Sequence, residues 1–188
     1  METEQTHRSA TAFAGPRMIA AGALADVALA VKAALEELPY EALLVFDDAT
    51  GTVIDLDLRG DARDIAARLA EPAPPKVAGR GRPKLGVVAR EVTLLPRHWD
   101  WLAAQPGGAS QALRRLIDRA RADDGGQTDR KARQEAAYRF MSAMAGDLPG
   151  FEEASRALFA NDVPRFVACM AEWPADIRDY TLRLAGAG

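Results

Sequence analysis

The carboxylate pair Asp47-Asp48 ends the apolar run Leu43-Leu-Val-Phe46, where a carboxylate following a buried strand is a candidate nucleophile for phosphoryl transfer. The next residues argue against that chemistry. Ala49-Thr50-Gly51 leads directly into a second alternating segment, Val53-Ile-Asp55-Leu-Asp57-Leu58, so no helix start is at hand to receive a phosphate. The pair falls instead in a hairpin turn, which Gly51 closes with a positive φ. Asp55 and Asp57 alternate on one strand face and would share a cation only if another carboxylate joined them; alone, they read as the solvated face of a sheet. Glu152 and Glu153 fall in the first turn of a helix, where they complement its dipole. The chain has two histidines, His7 and His98, and one cysteine, Cys169, which leaves no Ser-His-Asp, Cys-His or zinc-ligand set. Cys169 stands at helical spacing among Phe166, Val167 and Met170 and reads as an inert, buried thiol. No catalytic residue, cofactor or metal is therefore expected.

Charge carries the stronger signal. The overall formal charge is −3, yet residues 76 to 121 hold 10 basic and 3 acidic side chains, between acidic flanks. A basic middle segment is the electrostatic footprint of a nucleic-acid contact, or of a segment that docks on the chain's own acidic surface. Within it, Arg80-Gly81-Arg82-Pro83-Lys84 resembles the core of an AT-hook, an extended tract that lies in a narrow minor groove, where glycine adds no bulk and arginine matches the enhanced negative potential.

Beyond that tract, Val92-Thr93-Leu94 alternate in the strand period, Pro96 suits a first helical turn, and Pro106-Gly107-Gly108 breaks that helix. Ser110 is the expected cap of a second helix, with Leu113, Leu116, Ile117 and Ala120 on one stripe and Arg114, Arg115 and Arg119 opposite. Trp99 is assigned to the core with Leu102, and Trp101, pointing roughly 200° away from Trp99, to an interface. The order strand, helix, helix resembles the ribbon-helix-helix family of dimeric DNA-binding proteins, and the resemblance implies a homodimer whose paired strands enter the major groove. Two facings of the strand remain open. One presents Glu91 and Thr93 outward, and is preferred because it turns Val92 and Leu94 toward the helices; the other presents Arg90. The DNA-binding residues expected on this basis are Arg80, Arg82, Lys84, Arg90, Thr93, Ser110, Gln111, Arg114 and Arg115.

The elements that must carry this segment are legible from punctuation and period. A polar, disordered start over residues 1 to 10 precedes an α/β unit over 11 to 71, ordered ββαββα. It comprises two strands around Gly15-Pro16, a helix with Leu24, Val27, Ala28 and Val31 inward, the 43–58 hairpin, and a helix capped by Asp61. Residues 72 to 85 form a Pro/Gly/basic linker, and residues 86 to 122 the strand-helix-helix module. Residues 128 to 186 form a helical C-terminal bundle, with stripes Ala137/Phe140/Met141/Met144, Phe151/Ala154/Leu158/Phe159, Phe166/Val167/Met170 and Ile177/Tyr180/Thr181/Leu184. The expected fold class is α+β.

Three longer stretches, 42–51, 81–110 and 138–151, resemble members of a bacterial family catalogued as Domain of Unknown Function 2239. That resemblance implies no activity. The function expected from the residues is DNA binding, as a transcriptional regulator acting as a dimer. The alternative is a non-enzymatic interaction protein, with its basic segment on its own acidic surface and a protein partner on the C-terminal helices. No run of 18 apolar residues is present, and Met1 to Ala14 contains no signal core, so the expected location is the cytoplasm without a membrane span.

Overall fold

In β1 (Ser9–Ala14) successive side chains point to opposite faces, and both faces are covered. The computed structural model describes residues 8–38, 41–69 and 90–187. β1 pairs antiparallel with β2 (Arg17–Ala23) on one side and with β3 (Leu43–Asp47) on the other, giving a three-stranded sheet of order β2-β1-β3. Gly15, at φ 51°, makes the tight turn between β1 and β2.

Ala10 and Ala12 of β1, with Val45 of β3, face Leu24, Val27 and Val31 of helix α1 (Leu24–Glu37). Alanines suit this face because they let the helix approach the strands closely. Phe13 and Phe46 point to the other face, into a core built by the C-terminal helices. These are α5 (Gln127–Met144), α6 (Phe151–Ala160), α7 (Val163–Cys169) and α8 (Ala175–Ala185). Phe140 of α5 is the centre of that core. Its ring lies 5.3 Å from Phe13, 4.8 Å from Phe46 and 4.5 Å from Tyr180, the last two edge to face. All four residues of the α8 stripe, Ile177, Tyr180, Thr181 and Leu184, are buried as their spacing predicts. Asp162 caps α7 by accepting from the Arg165 N–H at 3.2 Å.

The chain divides into two units. One joins Met1–Glu71 to Thr128–Gly188, so the N-terminal sheet and the C-terminal helices share a core; the other is Pro72–Gln127. The architecture is mixed α+β, with eight helices and one small antiparallel sheet among the described residues.

The ββαββα order is not formed in full. After β3 the chain touches the sheet only at its turn, through Asp47 N to Thr52 O, Ile54 N to Val45 O and a single bridge between Phe46 and Val53. Ile54, Leu56 and Leu58 still turn inward against the α1 core, and Val53, Asp55 and Asp57 are exposed. The alternation is real, but the ladder stops because the chain peels away toward α2 (Ala62–Leu69). The Asp57 carboxylate holds that departure by accepting from the Arg59 backbone and guanidinium and pairing with Arg68. Asp61 caps α2 as expected, accepting from the N–H groups of Arg63 and Asp64.

In the second unit residues 90–95, the described part of the expected strand, make no sheet pairing among the described residues, and residues 86–89 lie outside them. Both helices are present: α3 (Pro96–Ala103), opened by Pro96, and α4 (Gly108–Asp123). No helix among the described residues is long and apolar enough to cross a membrane.

Candidate functional site

The helical hairpin α3–α4 carries most of the described candidate DNA-binding residues. Arg80, Arg82 and Lys84 lie outside the described residues. Arg90, Thr93, Ser110, Gln111, Arg114 and Arg115 are described, and all six are exposed to solvent. Ser110, however, is not the cap of α4. Gly107, at φ 82°, lets the chain turn left-handed and start the helix at Gly108, so that the cap position lies at Gly107 rather than Ser110 and carries no side-chain cap. The Ser110 hydroxyl instead accepts from Arg114 at 2.9 Å. Gln111 folds its amide back toward Gly107, where an added Cβ would lie 1.6 Å from Gln111 Oε1. The start of α4 is therefore partly covered by its own side chain.

Apolar groups on this hairpin are poorly covered. Leu102 is buried at 3% exposure and Ala112 is fully buried, but Trp99 is 40% exposed and Trp101 50%. The assignment of Trp99 to the core is corrected by this. Trp101 borders a groove with Leu94, His98, Leu102, Leu113 and Leu116, a cleft of about 260 Å³. Val92, Leu116 and Ile117 are each more than two-fifths exposed. Arg115, Arg119 and Arg121 stand out from α4 into solvent, tied at most by local contacts such as Arg115 to Gln105 at 3.4 Å.

A second polar constellation lies in the other unit, at the turn after β3. Asp47 is nearly buried and accepts from Arg8 Nε at 2.7 Å, from the Ala49 and Thr50 N–H groups at 3.0 Å each, and from the Thr50 hydroxyl at 3.1 Å. Burial pushes the Asp47 carboxyl up, but the Arg8 and Thr50 side chains and the two backbone donors together outweigh it and hold it below the usual carboxylate range. Asp48 accepts from Ser9 at 2.6 Å, and from Thr11 and the Tyr180 hydroxyl at 2.8 Å each. Burial, then the bond to Asp48 and its negative charge, push the Tyr180 hydroxyl well above its ordinary value, so it stays protonated. Arg183 donates to Thr11 Oγ1 at 2.8 Å and lies 4.6 Å over the Tyr180 ring. The Asp pair is thus a folded turn, as its sequence context predicts, with both carboxylates occupied by bonds within the unit.

The Asp47 geometry has a pH consequence. Its folded pKa is depressed, so the stability it contributes is present above the unfolded value of about 3.9 and is lost as pH falls through the folded value. Denaturant midpoints measured from pH 6 down to pH 3 are expected to fall, and Asp47→Asn to flatten that fall. An equally steep fall in the variant would place the acid sensitivity elsewhere.

No cluster of three or more metal-ligating side chains exists among the described residues. Neither the curated proteins nor the solved structures include a match to this chain. One family model matches residues 9–185, nearly the whole length, and its description is an uncharacterized protein conserved in bacteria. The chain therefore belongs to this bacterial family, Domain of Unknown Function 2239.

Proposed function

We propose that the protein binds DNA through residues 80 to 121, as a homodimer. The observation that carries this reading is the α3–α4 hairpin, which presents exposed arginines on α4 beside apolar side chains that its own two helices do not cover. A module of this size buries too little surface to stand alone, and a second copy offers the matching apolar stripe. Residues 90–95 form no strand within one chain and acquire a ladder partner when two copies meet, as in a ribbon-helix-helix pair. Arg80, Arg82 and Lys84 then track the minor groove or phosphates. Thr93 faces base edges, and Arg114 and Arg115 neutralise phosphates.

The expected result for Arg80→Ala/Arg82→Ala is weaker binding to AT-rich and GC-rich duplexes alike, with the slope of log affinity on log salt reduced by about 2. Fluorescence anisotropy with both duplexes measures it. Unchanged binding by the double variant removes the hook from the account. The groove beside Trp101 favours a second reading, a protein-interaction module, which gains if neither duplex binds.

A further inference from the structure

We propose that a cleft over the β3 turn, between Arg133 and Arg183, is a binding site for a small oxyanion, the carboxylate or phosphate group of a compact organic molecule. The cleft has a volume of about 420 Å³ and is lined by Asp48, Ala49, Arg133, Ala136, Arg183 and Leu184. That volume lies within the range of roughly 300–1,000 Å³ typical of small-ligand sites.

Its charge is unbalanced in favour of an anion. Two guanidinium groups border it with one carboxylate, a formal charge of about +1, and the lone pairs of that carboxylate are already taken by Ser9, Thr11 and Tyr180, so it offers neither arginine a close hydrogen bond. Arg183 Nη2 is 3.6 Å from Asp48 Oδ1, longer than a hydrogen bond, and its one close acceptor among the described residues is the neutral Thr11 hydroxyl. Arg133 makes no hydrogen bond or ion pair with any described residue, and its stem packs on Gly186, where an added Cβ would lie 3.2 Å from Arg133 Cδ. By contrast Arg139, one turn and a half along α5, is occupied by Glu135 and the Thr50 carbonyl.

Arg183 is also held in place before any ligand arrives. Its guanidinium is fixed by Thr11 and by the Tyr180 ring, so binding loses less side-chain freedom than it would at a mobile surface arginine. A guanidinium has five N–H donors in a planar fork, and Arg183 spends one of them on Thr11, leaving others for the paired oxygens of a carboxylate or phosphate. Ala49, Ala136 and Leu184 supply the apolar wall for a short organic body. The site belongs wholly to the unit that joins the sheet to the C-terminal helices, so it stands or falls independently of DNA binding by the other unit.

The test is an amide NMR titration of the full ¹⁵N-labelled chain with sodium phosphate and, separately, with sodium acetate, each against sodium chloride at matched ionic strength. The expected result is saturable shifts at the amides of Ala49, Arg133 and Arg183 with at least one of the two probes beyond those with chloride. Phosphate alone, acetate alone or both then defines the head group. Arg133→Ala, which removes no bond within the fold, should raise the apparent Kd on the order of tenfold with the spectrum otherwise kept. Arg133→Lys, keeping the charge without the fork, should fall between. Shifts no larger than with chloride, shifts confined to residues 76–121, or unchanged affinity in Arg133→Ala would each overturn the proposal.

Discussion

Gly51→Ala is expected to cost on the order of 4 kcal/mol of folding stability, enough to remove most of the margin of an ordinary domain. Two effects add at this residue. Gly51 sits at φ 65°, where an L side chain costs roughly 1–2 kcal/mol. A Cβ there would also lie 2.0 Å from the carbonyl oxygen of Ala136 and 2.9 Å from its Cα, which are helix backbone and cannot swing aside. The turn after β3 would have to lift off α5, and Phe46 would be drawn out of its contact with Phe140. Gly15→Ala is the control, because Gly15 has a similar φ of 51° but its added Cβ meets nothing closer than 3.9 Å. Its expected cost is about 1 kcal/mol, the backbone part alone. Urea midpoints of the two variants separate conformation from contact. Similar small losses in both would mean that the turn is not seated on α5.

Phe140→Ala is the second large loss, expected at about 3–5 kcal/mol for an aromatic ring removed from a packed core. Phe140 is fully buried and touches rings from three other elements, β1, β3 and α8. Because the sheet and the C-terminal helices share this ring cluster, they should lose structure together. Far-ultraviolet circular dichroism and the fluorescence of Trp173, whose indole donates to the Pro149 carbonyl at 2.8 Å, should report one coincident transition at a lowered midpoint. A variant whose helices melt while the sheet persists would show that the two parts are stable separately.

Long periodic segments are legible because the information lies within each segment. The stripes Leu24/Val27/Ala28/Val31 and Ile177/Tyr180/Thr181/Leu184 all face inward, and Asp61 and Asp162 cap the helices they precede. Alternation over Val53 to Leu58 reports which side chains turn inward but not whether a ladder forms, since an extended segment packed by its side chains shows the same pattern. The helix period places Trp99 and Trp101 on different sides of α3, and Trp99 with Leu102, but it does not reveal how much of either indole is covered, and both stay largely exposed. At Ser110 a good cap residue is pre-empted by the earlier left-handed turn at Gly107. The basic segment is visible as composition. The Arg133–Arg183 cleft is not, because Tyr180 is 132 residues from Asp48 and Arg183 is 172 from Thr11, and no local pattern marks such a meeting.

DNA binding by the basic segment is tested most directly by titrating a labelled AT-rich duplex with the full protein and following fluorescence anisotropy at two salt concentrations. If the arginines of residues 80 to 121 displace counterions from about six phosphates, affinity should fall on the order of 10³-fold between about 50 and about 200 mM salt. Absence of binding at the lower salt would contradict the account and turn the search toward a protein partner for the groove beside Trp101.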